Sequence, residues 1–370
     1  MRPLSSYFRK ALIGIALCCV TVSVWAQETL PYWKDIQTVG VNREPARTAF
    51  MTYENRDQAL TLNNANSPYY LLLNGTWNFY YVDAYKDLPA GIEQPGANIN
   101  WTDIKVPGNW EVQGHGVAIY TNHGYEWKPR NPKPPQLPEA TPVGVYQRDF
   151  EIPANWDGRD IYLSIDGAKS GVYVYVNGKE VGYSEDAKST AEFKLNKYLK
   201  AGKNSLVLKI FRWSTGAYLE CQDFWRISGI ERDVFLFSQP KTHIQDFQVV
   251  STLDDTYKND IFKLAVNVQN PQPSTSLSYE LLDAQGKVVS QGTKQQINAG
   301  FEAELKDVQT WTSEHPNLYK LLITLKEGEK VTEVIPIVWD SVVSKSKKSM
   351  KRAKMANHTY VSSSTDSPSS

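Results

Sequence analysis

The sequence predicts an all-β chain of two consecutive antiparallel sandwiches, and three observations carry that prediction. Short runs rich in Val, Ile, Tyr, Phe and Trp recur between turn residues from about Tyr69 to Ile337. Asn-Gly corners punctuate them at 74–75 and 177–178, and no segment sustains an amphipathic helical period. At 370 residues there is room for two or three domains, each large enough to bury a core.

At the N-terminus Arg2, Arg9 and Lys10 precede an apolar run from Ala11 to about Val24, and Val24-Trp25-Ala26 stands before Gln27. This is the layout of a secretory signal peptide, so residues 1–26 are set apart from the fold. Export to the periplasm or the medium is expected. The run is short for a membrane span. Leu17 and Cys18, which precede Cys18 and Cys19, are not the small residues a lipidation signal requires. After cleavage Cys221 is the one cysteine left, so stability is expected from packing and not from a disulfide.

The first sandwich is expected within residues 27–240. Leu71 to Val82 reads as an Asn-Gly corner entering an alternating aromatic strand. The stretch from Tyr120 to Pro142 holds too many prolines for a helix or a central strand and reads as a long ordered loop. Strand signals resume at 144–152 and 160–165. Two further runs, 171–176 and 179–183, fold on Asn177-Gly178, and 205–213 and 232–237 close the unit. Gln239 to Thr242 reads as a junction. A second sandwich of immunoglobulin size, residues 241–337, then follows through the strands 243–247, 262–268 and 318–325 and the turn Asp283-Ala284-Gln285-Gly286. Residues 338–370 turn basic and then Ser-rich without apolar periodicity and are expected to be disordered.

Lys+Arg and Asp+Glu both total 40, so nothing global pulls the chain toward nucleic acid or an anionic membrane. There is no phosphate-cradling loop, no Gly-x-Ser-x-Gly elbow and no zinc-binding His-Glu-x-x-His, and the five histidines are scattered. The segment Phe211 to Val234 interleaves charged residues with aromatics between two strands. Such a mixture suits a polar, stacking ligand site, and equally a loop braced by Arg-carboxylate pairs.

The same segment carries a resemblance. Arg212-Trp213-Ser214, Tyr218-Leu219-Glu220, Gln222-Asp223, Trp225-Arg226, Ser228-Gly229-Ile230 and Arg232-Asp233-Val234 resemble the first domain of glycoside hydrolase family 2 β-galactosidases of the large bacterial type. Leu73 to Trp77, Val106 to Trp110, Ile119 to Asn122, Val176-Asn177-Gly178 and Pro316 to Tyr319 agree in order. The resemblance implies a jelly-roll β-sandwich followed by an immunoglobulin-like β-sandwich, both packing on a TIM barrel that carries the two catalytic glutamates. It implies that Asp223 helps hold the galactose and a sodium ion, and that the asparagine near the sugar is Asn131, with Asn122 as the alternative match. It implies sodium and magnesium as cofactors, a β-galactoside as ligand, and an oligomer as a possible assembly. Where family members have an acidic residue before Gln222, this chain has Cys221.

Family members continue into a Gly-Phe-Arg strand and the barrel, whereas here a Ser/Lys tail follows. Trp339 to Ser346 can be encoded so that reading one base earlier gives Gly-Phe-Arg-Ser-Val-Glu-Ile. The expectation is therefore a frameshifted tail from about Val338, and a chain inactive alone for want of the barrel glutamates. A stand-alone carbohydrate-binding protein and a piece complementing a separately encoded barrel are the alternatives.

Overall fold

In the computed structural model, residues 30–127, 133–295, 297 and 300–341 are described. The first sandwich faces a seven-stranded sheet against a four-stranded one. The larger sheet runs Gly40–Val41, Lys179–Ser184, Gly171–Val176, Lys203–Phe211, Val143–Glu151, Gly75–Val82 and Thr102–Val106. The smaller runs Ala191–Lys194, Asp160–Ile165, Val234–Gln239 and Tyr70–Leu72. All these pairings are antiparallel. Alternation decides which side chains meet between the sheets: Trp77 and Phe79 point inward from one strand, and Val172, Val174 and Val176 from another. Asn177 and Gly178 both take positive φ, 54° and 78°, the backbone an Asn-Gly hairpin turn requires.

The outer face of the large sheet is also covered. Trp33 from the N-terminal segment and Ile92 from residues 85–101 join Tyr173, Tyr183, Val207 and Phe211 in a second apolar layer. The expected absence of long helices holds among the described residues, where the one α-helix is Arg56–Leu60, started by Asn55 accepting from Gln58 N at 3.0 Å.

The second sandwich packs His243–Leu253, Asp260–Gln269 and Phe301–Leu305 against Val288–Lys294, Thr275–Leu282, Tyr319–Glu327 and Lys330–Trp339. Its last strand passes the expected boundary at Ile337: Trp339 pairs with Tyr319 and is buried with Phe262. Ser341 Oγ donates to Asp260 at 2.6 Å. The disordered tail is thus overturned for residues 338–341, which the apolar indole and a satisfied hydroxyl tie into the core; the rest of it, from 342, lies outside the described residues, as does the signal segment.

The segment from Arg43 to Tyr53 ties the two sandwiches together. Arg47 forms a two-armed pair with Glu192 at 2.6 and 2.8 Å. Thr48 N donates to Asp246 at 3.0 Å, and Tyr53 bridges Val334. Met51 and Tyr53 then pack with Tyr162 and Phe237 of the first sandwich and Leu282 and Leu322 of the second.

Candidate functional site

The strand Lys203–Phe211 delivers Arg212 and Trp213 to one end of the first sandwich, where the proline-rich loop returns. Their charges and indole meet a single carboxylate. Glu126, buried at 5 % exposure, accepts from Lys169 Nζ at 3.0 Å, Arg212 Nε at 3.1 Å and Trp213 Nε1 at 2.7 Å. Burial would raise the Glu126 pKa, but Lys169, the indole and Arg212 outweigh it and hold it below the ordinary glutamate value. Arg212 also donates to Val117 O at 3.1 Å and Arg226 O at 3.0 Å, and lies 3.4 Å from Glu111. One guanidinium therefore fixes the chain on both sides of the short ladder that pairs Ile119–Thr121 with Phe224–Arg226.

That ladder carries the residues singled out in the sequence. Asp223 stands exposed just before Phe224 and accepts from Tyr120 Oη at 3.3 Å. The ladder ends where Thr121 pairs with Phe224, so Asn122 and Asp223 are the residues that follow it on the two strands. Asn122 Oδ1 contacts His123 Nδ1 at 2.7 Å. Asn131 lies outside the described residues. Of the two asparagines, Asn122 is the one within the described residues, directly after the ladder that leads to Asp223.

The turn before Asp223 is held from beneath. Glu185, buried, accepts from Thr215 Oγ1 at 3.0 Å, Gly216 N at 2.6 Å and Tyr183 Oη at 2.7 Å. Glu220 accepts from Ala187 N at 2.8 Å, and Cys221 Sγ donates to Ala217 O at 3.0 Å. Burial pushes the Glu185 and Glu220 carboxyls up despite these bonds. Above the turn, Tyr125 stacks on Trp127 and both rings meet Tyr218, whose hydroxyl donates to Gln136 O. The Arg-carboxylate braces expected of this segment are present, and they support an exposed polar edge. Glu126, Lys169 and Glu185 carried no signal in the sequence, since each finds its partners through the fold.

Several apolar side chains on or near the ladder in sequence are exposed: Val112, Val117, Tyr120, Leu219, Phe224 and Trp225 are all at least half exposed. Tyr120 and Trp225 meet edge to face with centroids 5.5 Å apart. For a hard cation, Asp223 with the oxygens of Asn122 and Tyr120 offers the right donor chemistry but only part of a coordination sphere. No group of three or more His, Cys, Asp or Glu side chains converges on a metal position among the described residues.

Comparison with known proteins follows the same division. The family model described as the sugar binding domain of glycosyl hydrolases family 2 matches residues 71–240, and a second model of the same family matches residues 242–336. A β-galactosidase of Priestia megaterium is 35 % identical over 313 residues, which cover 80 % of this chain and 30 % of that protein. A β-galactosidase of Halalkalibacterium halodurans is 35 % identical over 315 residues, covering 82 % and 30 %. The chain thus spans about 30 % of the length of these relatives. Among solved structures, an FMN-binding β-glucuronidase from Facaelibacterium prausnitzii superposes with a TM-score of 0.58 at 20 % identity, over 74 % of this chain and 39 % of that one. At that identity the likeness speaks for the fold alone.

Proposed function

From the premise that the chain belongs to glycosyl hydrolases family 2, as the N-terminal portion of a glycoside hydrolase, we propose that it is the substrate-binding front of an exported β-galactosidase. The observation that carries this reading is the edge of the two-stranded ladder, where Asp223 and Asn122, both exposed, follow its last pair and Asp223 accepts from Tyr120. A carboxylate and a carboxamide there can accept from and donate to neighbouring sugar hydroxyls, and the buried braces beneath keep the turn before Asp223 in place. Asp223, with Asn122 and Tyr120, would hold a sodium ion that adds positive charge beside the sugar oxygens. Magnesium stays an expectation of the family resemblance, without a donor set in the described residues.

The acid/base and nucleophile glutamates belong, in this proposal, to a TIM barrel that meets the apolar surface of Val117, Tyr120, Leu219, Phe224 and Trp225. Aliphatic side chains beside the aromatic ones support a protein partner there, because a sugar platform needs rings alone. The barrel's carboxyl pair would cleave the glycosidic bond, while this chain orients the galactose and excludes water at one edge.

The test is complementation. The chain is mixed with a separately produced family 2 barrel, and nitrophenol release from nitrophenyl β-galactoside is followed. Activity is expected in the mixture and not in the chain alone, with KM raised in Asp223→Asn. Equal activity of the barrel with and without the chain would sink the proposal.

A further inference from the structure

Residues 85–101 cover the outer face of the seven-stranded sheet only in part. Leu88, Ile92, Ile99 and Trp101 pack with Tyr80, Val145 and Val207, and the cover stops at Trp101. Further along, the same sheet face turns polar: Asn78 pairs with Gln147, and Asp149 with Ser205, on three neighbouring strands. Between Trp101 on one bank and Gln147, Asp149, Lys200, Lys203 and Ser205 on the other lies a groove of about 430 Å³. That volume falls within the roughly 300–1,000 Å³ of small-ligand sites.

The polar bank is ordered before any ligand arrives. Gln147 Oε1 accepts from Asn78 Nδ2 at 2.5 Å, and Gln147 Nε2 donates to Asp149 Oδ1 at 2.7 Å and Ser205 Oγ at 3.1 Å. Lys203 Nζ meets the other Asp149 oxygen at 2.7 Å. On the facing bank the Trp101 indole is set edge-on against Tyr80, with centroids 6.5 Å apart and planes at 83°. A polar sheet face that merely meets water has no need of an indole wall opposite it.

We propose that this groove is a second saccharide site, taking one or two neutral sugar rings. A pyranose lays its C–H face on Trp101 and directs its hydroxyls at the Asp149 carboxylate, the Gln147 amide and the Lys200 amine. Lys203 offsets the charge of Asp149, and the exposed Lys200 adds one water-screened amine that can donate to a ring hydroxyl, so the groove suits a polyol better than a strong ion. Fixed hydrogen-bonding groups reduce the ordering cost of binding. The site is independent of the Asp223 ladder: the groove lies at the Lys203 end of the strand Lys203–Phe211, and Arg212 leads to Asp223 from the other. Nine residues at about 3.3 Å each separate the two ends.

The test uses the whole chain labelled with ¹⁵N-tryptophan and titrated separately with lactose, galactobiose and cellobiose, with the Trp101 indole signal assigned by Trp101→Phe. Expected is a saturable shift of that signal with at least one disaccharide, lost in Asp149→Ala and kept in Asp223→Asn. The remaining indole signals of Asp149→Ala should hold their positions, showing that the sandwich is intact. A Trp101 signal that no disaccharide moves, a shift that survives Asp149→Ala, or one abolished by Asp223→Asn would each overturn the second site, and the last would assign the binding to the Asp223 ladder.

Discussion

Glu126 and Arg212, 86 residues apart in the chain, are joined at 3.1 Å in a place closed to water, with side chains 1 % and 4 % exposed. The pair joins the proline-rich loop to the end of a central strand, and through Arg212 to both strands that present Asp223. Glu126→Gln leaves two cations, Arg212 and Lys169, without their shared anion. Breaking a buried pair costs about 3–5 kcal/mol, so the urea midpoint should fall by an amount equivalent to that loss. An unchanged midpoint would mean that the cations find other partners.

The acid limb of stability should show the same group. The folded pKa of Glu126 is depressed, so its contribution is present above the unfolded glutamate value of about 4.3 and is lost as pH falls through the folded value. The stability difference between the parent and Glu126→Gln is expected to shrink on acidification below about pH 4, read by urea unfolding across that range. A difference independent of pH would show that charge is not what Glu126 supplies.

Much of the scaffold was legible because it rests on local rules. Asn177-Gly178 sets its hairpin through the backbone those two residues tolerate, and the alternation of Trp77 and Phe79 declares a buried face. The site was less so. Glu126, Glu185 and Glu333 look in sequence like any surface carboxylate, because what buries them is the fold and their partners lie far along the chain. Asn122 and Asn131 are alike as residues; only the pairing of Thr121 with Phe224 brings Asn122 to the end of the ladder that Asp223 precedes. The end of the last strand was missed because Trp339 precedes a polar stretch and draws its burial from Tyr319 and Phe262.

Between the sandwiches Glu333 is fully buried, accepting from Ile244 N at 2.8 Å and Gln239 Nε2 at 3.0 Å. Burial, opposed by these bonds, raises its pKa. A carboxyl with a raised folded pKa contributes most below its unfolded value and loses that contribution as pH rises through the folded one. Glu333→Gln does not titrate and forfeits one acceptor. It should therefore be less stable than the parent near pH 4, with the gap closing as pH rises. Urea unfolding of both proteins over this range checks it; a gap that widens with pH would mean that the carboxyl is held ionised.

The exposed apolar side chains near the Asp223 ladder have a direct readout. Leu219, Phe224 and Trp225 are 87, 62 and 50 % exposed, and exposed apolar surface of this kind favours association. The triple change to serine should lower the sedimentation-derived self-association of the isolated chain and its binding of a hydrophobic dye, leaving the unfolding midpoint nearly unchanged because little burial is lost. It should also abolish complementation by a family 2 barrel. Complementation that survives the triple change would place the partner's docking face elsewhere.

Arg226 offers the opposite situation, a buried charge in want of a partner. It is 1 % exposed, and its Nε and Nη2 make no hydrogen bond among the described residues. Burial pushes the neighbouring Cys221 thiol up, and the positive charge of Arg226 is the foremost influence opposing it. The family resemblance implies an acidic residue where Cys221 stands, and a carboxylate there would meet the guanidinium and relieve an uncompensated charge. Cys221→Asp is expected to stabilise the chain by about 1.5–3 kcal/mol, the worth of hydrogen bonds to a charged group. In an Arg226→Met background the same change should give no gain and instead bury a lone carboxylate. A double-mutant cycle by urea unfolding separates the pairwise interaction from either substitution alone; equal effects of Cys221→Asp in both backgrounds would show that the two side chains do not pair, and that Arg226 draws its compensation from elsewhere in the fold.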